Sequence, residues 1–345
     1  MFEIDGSQKS GSGTILRLSV AFAAISGKPL HICNIRQNRP QTGLKPQHLS
    51  AVLTAAKLCN AKIQGASLGS REIWFTPGKV KGGSYEAEIG TAGSIPALLL
   101  TVLPICALSR DKVYLHVSKG GTDTANAPTI NYLRYVLLAV LRRIGIEASI
   151  TVHNYGYYPK GMGEVTLMVK PCHQLVPFRI EEFGNVRSVK GISVCTFLAE
   201  RKVAQRQADA ANHYLAENGY KADIQVVNDT SNLLHKGSSI VLWVETDTGV
   251  ILGADAIGEI GKTSETVGRE VAEKLLSEVS AKPTTDEHLS DMLIPYLALT
   301  NGASAFLTKG ISDHLETNIW LAEKMLGARF KVEKANGLFK LEKLG

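Results

Sequence analysis

The side chains whose types and spacing suit chemistry fall at opposite ends of the chain. Near the C-terminus, Ser312-Asp313-His314 opens a helical pattern whose apolar stripe is Leu315, Ile319, Ala322 and Leu326. Ser312 or Asp313 caps this helix and His314 lies in its first turn. The dipole at that end disfavours an imidazolium, which suits a neutral, nucleophilic ring; a solvated or structural histidine fits the same spacing. Near the N-terminus, Lys9-Ser10-Gly11-Ser12-Gly13-Thr14 with Arg17 reads as a glycine-rich turn opening a helix. Such a start presents unpaired N–H groups to an anion, and its glycines admit close approach. The run lacks the G-K-[ST] ending of a P-loop and does not match G-x-G-x-x-G, so an ordinary helix cap is the alternative. Arg36 and Arg39 flank a strand end ahead of Gln47-His48, and their guanidinium forks suit bidentate phosphate contacts. Gly156-Tyr157-Tyr158-Pro159-Lys160-Gly161-Met162-Gly163 reads as a β-hairpin loop carrying aromatic and basic groups. The histidines show no H-x-x-x-H metal spacing, and no Ser-His-Asp order stands out.

Charge distribution adds weight to the N-terminal end. Residues 1–72 hold nine bases and three acids, which is the whole of the chain's net charge of +6, and no carboxylate lies between Asp5 and Glu72. Uncompensated Lys and Arg of this kind either converge on a local anion site or form a solvated basic face.

The elements that must position these groups recur. A Gly or Ser-rich turn leads to an apolar helix, a strand, a second helix and two strands. The first unit has helices from Ile15 to Ile25 and from about Gln47 to Leu58, with strands Pro29 to Ile35, Ala61 to Gln64 and Glu72 to Phe75. The second has helices Ile95 to Leu108 and about Thr129 to Ile144, with strands Val113 to Val117, Glu147 to Val152 and Glu164 to Val169. The third has helices from about Glu287 to Leu299 and from Asp313 to Leu326, with strands Ala303 to Leu307, Ala328 to Glu333 and Gly337 to Glu342. Its wide separation from the second implies an insertion. The expected fold is therefore α/β (α+β). Three repeated sheet-plus-two-helix units form a large domain, 1–185 and 282–345, with a smaller inserted α/β domain at 186–281. The insertion carries helices Lys202 to Asn218 and Ser264 to Val279, with strands Lys221 to Val227 and Ser238 to Glu245.

With 345 residues, 44% of them hydrophobic, the chain is long enough to bury such a core without staples. Its five scattered cysteines make no C-x-x-C pair, which argues against a disulfide framework or a cysteine zinc site. The longest apolar run, Ile95 to Leu108, is shorter than the roughly 18 residues of a membrane span. The first residues lack the basic and apolar regions of a secretory signal. The expectation is a soluble, cytoplasmic protein with no membrane partner.

Taken together, the motifs resemble the RNA 3′-terminal phosphate cyclase family. The likeness is carried by Ile4-Asp5-Gly6-Ser7-Gln8 with Ile15-Leu16-Arg17, Asn34-Ile35-Arg36 with Arg39, and Pro46-Gln47-His48-Leu49. It continues through Thr91-Ala92-Gly93-Ser94, Gly120-Gly121-Thr122-Asp123, the Gly156 to Gly161 run, and His314-Leu315 with Thr317-Asn318-Ile319. The resemblance implies an ATP-dependent ligase that acts on an RNA with a 3′-phosphate end. ATP adenylylates a histidine, AMP passes to the RNA 3′-phosphate, and the vicinal 2′-hydroxyl closes a 2′,3′-cyclic phosphate. His314 matches the nucleophile. Arg17, Arg36, Arg39 and Gln47 match phosphate and RNA-end ligands, while Pro128, His288 and Asp291 match adenine-site positions. His288 stands where an aromatic ring would stack on the base.

A divalent metal, Mg²⁺ or Mn²⁺, is implied as well. Ser10, however, stands where the family has a glutamate ligand, and a hydroxyl binds such ions far more weakly, so no set of metal ligands is selected. Leu100 and Met292 replace usual glutamines, and Met162 interrupts a glycine run. Two rival readings accompany the first. One is a non-catalytic cyclase-like protein that binds RNA or assists ribosome assembly, against which His314 argues. The other is an enolpyruvyl transferase of similar repeat architecture, which would need neither the His314 helix start nor the Gly156 to Gly161 loop.

Overall fold

The computed structural model describes residues 1–232 and 234–345. The first unit runs β1 (Phe2–Asp5), α1 (Gly13–Ser26), β2 (Leu30–Cys33), α2 (Pro46–Cys59), β3 (Lys62–Gln64) and β4 (Ile73–Thr76). The second runs β5 (Gly83–Glu88), α3 (Ile95–Ala107), β6 (Val113–Gly120), α4 (Ile130–Tyr132), a π-helical stretch Leu133–Leu137, α5 (Leu138–Arg143), β7 (Ala148–Asn154) and β8 (Gly163–Val169). In both, the first strand pairs parallel with the second and the rest pair antiparallel, giving β1-β2-β4-β3 and β5-β6-β8-β7.

Next come β9 (Val186–Thr196), α6 (Val203–Glu217), β10 (Ala222–Asp229), β11 (Gly237–Thr246), β12 (Ile251–Ile257) and α7 (Ser264–Ala281). They form a separate sheet, β10-β9-β11-β12, with α6 and α7 packed against each other and against its strands. The third unit follows: α8 (Glu287–Leu297), β13 (Ser304–Thr308), α9 (Asp313–Leu326), β14 (Phe330–Ala335) and β15 (Leu338–Lys343). Its sheet is β13-β15-β14, and a lone parallel bridge from Arg179 to Ala305 replaces the first strand of the other units. The chain is thus an α/β fold of repeated sheet-and-helix units.

The first helix of each of the first two units lies in the core. α1 has no charged residue except Arg17, is buried from Leu18 through Ala24, and ends at Gly27 in the left-handed region. α3 carries no charge and buries every residue but Leu100. Around these, packing is cyclic: α2 lies on α3, the π-helical stretch on α8, and α9 on α1. That closure brings the start of the last helix against the start of the first.

Several elements differ from expectation. β1, β5, β9 and β12 are additional strands, and the second helix of unit two is interrupted by π-helical pairing. The first β2 expectation, Pro29 to Ile35, shortens because Asn34 and Arg36 turn into the left-handed region at φ 51° and 56°. The 156–163 segment joins antiparallel β7 and β8, as a hairpin loop does. No helix among the described residues is long and apolar enough to cross a membrane.

Candidate active site

Two capped helix starts meet. Ser12 Oγ accepts from Thr14 N at the head of α1 (3.2 Å), and Ser312 Oγ accepts from Leu315 N at the head of α9 (3.0 Å). Across the junction Thr14 Oγ1 lies 3.2 Å from His314 Nδ1 and accepts from Arg17 Nη2 at 3.2 Å. A further strut joins Ser10 N to Thr317 Oγ1 at 3.3 Å. α8 is tied in as well, because Ser312 Oγ donates to Asp291 Oδ1 (2.7 Å) and Asn318 Nδ2 to the Asp291 carbonyl (2.8 Å). With Nδ1 engaged, Nε2 is the nitrogen of His314 left for chemistry.

A cavity of about 590 Å³ opens at this junction, within the size range of small-ligand sites. Arg17, Pro128, His288, Asp291 and His314 all line it. The His288 ring meets Tyr132 edge-on, with centroids 5.8 Å apart at 89°. Leu100 and Met292 contribute apolar wall.

The remaining expected residues lie outside that lining. Arg36 is buried, 7% exposed, and donates to the Gly43 carbonyl at 3.1 Å. Arg39 is exposed, and its charge reaches both Arg36 and His314. Gln47 Oε1 accepts from Ser94 N at 2.8 Å, so its carbonyl is committed to the start of α3 and only its amide nitrogen is left for a ligand.

Electrostatics favour an anion. Burial, then Arg36, pushes Arg17 down to about 10, and burial, then Arg39, lowers Arg36. Converging guanidiniums without an intervening acid are stabilised by a phosphate. His314 is exposed as a residue, yet its ring is held below its ordinary value first by desolvation, then by Arg17 and Arg39, with Asp313 opposing. Crowding and cations thus act with the helix dipole to keep the ring neutral. Burial pushes Asp291 up to about 7 against the Ser312 hydrogen bond.

Two further residues belong here. His48 is buried, and its Nδ1 accepts from Lys45 N at 3.4 Å, which leaves the proton on Nε2. Burial, then Arg17, Arg36 and Lys45, drives its pKa down to about 2. A Cβ on Gly13 would sit 2.1 Å from that Nε2 and 3.0 Å from Arg17 Nη1, so glycine alone permits this approach. Asn318 Oδ1, in the cavity wall, is buried and has no hydrogen-bond partner among the described residues. Both stand inside motifs that carry the family likeness, His48 in Pro46-Gln47-His48-Leu49 and Asn318 in Thr317-Asn318-Ile319, but neither is singled out there as a site residue.

This donor set fits a nucleotide: a cavity of the right order, buried cations for phosphates, and an orphaned amide oxygen for a base or sugar donor. It does not fit a protein-built metal cage. Among the described residues no group of three or more His, Cys, Asp or Glu side chains is placed to hold an ion, and the Ser10 hydroxyl bonds Ser12 Oγ at 3.0 Å.

Comparison with known proteins agrees with the motifs. The family model described as RNA 3′-terminal phosphate cyclase matches residues 8–332. The chain is 45% identical over 337 residues to an RNA 3′-terminal phosphate cyclase of Pyrococcus furiosus, covering 98% of this chain and 96% of the relative. It is 42% identical to proteins of the same name from Methanosarcina barkeri, over 99% of both chains, and from Methanopyrus kandleri, over 98% of this chain and 96% of the relative. The enolpyruvyl transferase reading is thereby set aside, and the chain belongs to the RNA 3′-terminal phosphate cyclase family of enzymes.

Proposed function

We propose that this enzyme converts the 3′-terminal phosphate of an RNA into a 2′,3′-cyclic phosphodiester at the expense of ATP, through a covalent adenylate on His314. The observation that carries the reading is the His314 ring, anchored at Nδ1 by Thr14 and kept neutral beside the half-buried Arg17 and the exposed Arg39. In the tautomer that donates Nδ1–H to Thr14 Oγ1, the Nε2 lone pair is free. His314 Nε2 attacks the α-phosphorus, a P–N bond forms and pyrophosphate leaves. An oxygen of the RNA 3′-phosphate then displaces the imidazole, breaking the P–N bond and carrying AMP onto the RNA end. Finally the vicinal 2′-hydroxyl attacks the 3′-phosphorus, losing its proton to solvent, and AMP departs as the ring closes.

Arg17, Arg36 and Arg39 would neutralise the phosphates as charge develops, with the Gln47 amide as a neutral donor. Pro128 and His288 would face the adenine, with Asp291 beside them. A divalent Mg²⁺ or Mn²⁺, for which the described residues offer no carboxylate cage, would arrive with the nucleotide and help neutralise its phosphates. The same reading takes residues 186–281 as a module inserted into the three-unit body of 1–185 and 282–345, and suits a cytoplasmic RNA substrate.

The test is incubation with α-labelled ATP and either metal, followed by a denaturing gel. An acid-labile adenylate that His314→Ala abolishes is the expected result. No label with Mg²⁺ or Mn²⁺ overturns the proposal.

A further inference from the structure

A second cleft, about 1170 Å³, lies between the 156–163 hairpin loop and the sheet of β9 to β12. It adjoins the cavity that His314 lines: Thr124, Ala125, Ile257, Glu259 and Lys262 belong to the walls of both. Its rims are fixed to each other. His235 Nε2 hydrogen-bonds the Tyr158 carbonyl, and Asn232 Nδ2 donates to the carbonyls of Tyr155 (2.7 Å) and Gly161 (3.1 Å). Beneath them Tyr157 is buried against Gly237, where a Cβ would fall 2.2 Å from the ring.

Above this floor two aromatic rings remain open to solvent. Tyr158 is 78% exposed on one rim and Phe197 is 37% exposed on the other. Phe197 takes a left-handed backbone at φ 52°, uncommon for a bulky residue, where its N–H donates to the Asp229 carbonyl at 3.1 Å just past the end of β9. The charge of the cleft is also uneven. Arg206 is committed to Glu265 (2.6 and 2.8 Å) and Lys262 to Glu270 (2.8 Å). Arg201 and Lys236 are exposed in the lining and have no carboxylate within 4.0 Å among the described residues, while Glu259 is the exposed acid opposite them.

We infer that this cleft is the path of the RNA strand, holding the few single-stranded nucleotides that precede the reacting 3′ end, with Tyr158 and Phe197 as base-stacking platforms and Arg201 and Lys236 as backbone contacts. Exposed aromatics interleaved with unpaired cations are the chemistry of single-stranded nucleic acid, whose bases stack while its phosphates are neutralised. A shared wall with the reaction cavity selects RNA over a protein segment, because the nucleotides preceding a 3′ end at His314 must lie beside that cavity. The inference rests on the proposed function only in taking RNA as the substrate.

The test compares binding of two single-stranded RNAs ending in a 3′-phosphate, a dinucleotide and an octanucleotide, by fluorescence anisotropy with the full-length protein. The wild type is expected to bind the longer RNA more tightly, and Tyr158→Ala to erase roughly ten-fold of that advantage, the order of one base stack. Tyr158→Trp, which keeps the stack, is expected to restore it. Arg201→Ala with Lys236→Ala is expected to flatten the dependence of affinity on salt by about 0.7 in log–log slope per lost contact.

Equal losses for both RNAs, no length dependence in the wild type, or an unchanged ratio in Tyr158→Ala would each overturn the assignment. So would a dimer that sediments in the wild type and dissociates in these variants, since the cleft would then hold a second copy. Binding is read without turnover. A protein that shows the length effect but cyclises no RNA therefore refutes the proposed reaction and leaves the strand path standing.

Discussion

Thr14 Oγ1 and His314 Nδ1 lie 3.2 Å apart although 300 residues of chain separate them. The contact exists because α9 closes the ring of units by packing on α1. Since Thr14 also takes a hydrogen bond from Arg17, one hydroxyl fixes the proposed nucleophile, His314, and the proposed phosphate ligand, Arg17, relative to each other.

Thr14→Val removes the acceptor and keeps the volume. Single-turnover adenylylation is expected to fall roughly ten- to a hundred-fold, the penalty for a loosely aimed reacting group, with Thr14→Ser recovering most of it. A rate within two-fold of wild type in Thr14→Val would show that the ring is positioned by packing alone.

The pH dependence of the same half-reaction follows from the neutral imidazole. Desolvation, then Arg17 and Arg39, sets His314 below its ordinary 6.5. The reactive unprotonated form therefore predominates at neutral pH, and the rate falls only as pH drops through that lowered value. The acid limb of kcat/KM for ATP is expected below pH 6.5. Arg39→Gln removes a repelling cation and should move the limb upward, toward 6.5. A wild-type limb at or above 6.5, or no movement in Arg39→Gln, would contradict the electrostatic account.

Sequence patterning made the helix ends plain where a cap and a stop both stand in the chain. Asp313 to Leu326, between Ser312 and Gly327, has the limits its spacing predicts. Strands without clean alternation were harder. β5 buries only Ala87, β9 carries Arg187, Lys190 and Gly191 within it, and β12 contains Gly253 and Asp255. The π-helical stretch is a matter of hydrogen-bond register that side-chain spacing does not encode. At the site, the absence of acids between Asp5 and Glu72 pointed to an anion. Which groups converge was decided by tertiary packing: the Gln47 carbonyl is spent on Ser94, and His48 and Arg17 both crowd the face of Gly13.

Asp286 is the knot between the elements that carry the cavity wall. It is buried, and accepts from Tyr132 OH (2.6 Å), Gly253 N (2.8 Å) and Leu289 N (2.9 Å). It thereby joins unit two, β12 and the head of α8, on which His288 and Asp291 ride. Asp286→Ala strands three buried donors and is expected to cost about 3 kcal/mol or more by urea unfolding. The His288 wall should loosen with it, raising KM for ATP. Asp286→Asn keeps one acceptor and should fall between. A loss below about 1 kcal/mol in Asp286→Ala would mean that water replaces the carboxylate.

Gly13→Ala tests the tightest approach in the site. Gly13 is the first residue of α1, where alanine is ordinarily harmless or favourable. Here the added methyl meets His48 Nε2 at 2.1 Å and Cδ2 at 2.8 Å, with Arg17 Nη1 at 3.0 Å. His48 is 3% exposed, so its ring must shift within a packed site to admit the methyl. The expected cost is about 1–3 kcal/mol of stability, as for an overpacked core, together with weaker binding of a 3′-phosphorylated RNA end. Because the clash has one principal partner, Gly13→Ala combined with His48→Ala should be more stable than Gly13→Ala alone, a coupling that a double-mutant cycle reads directly. Additive losses would show that the two residues do not share the space the structure gives them.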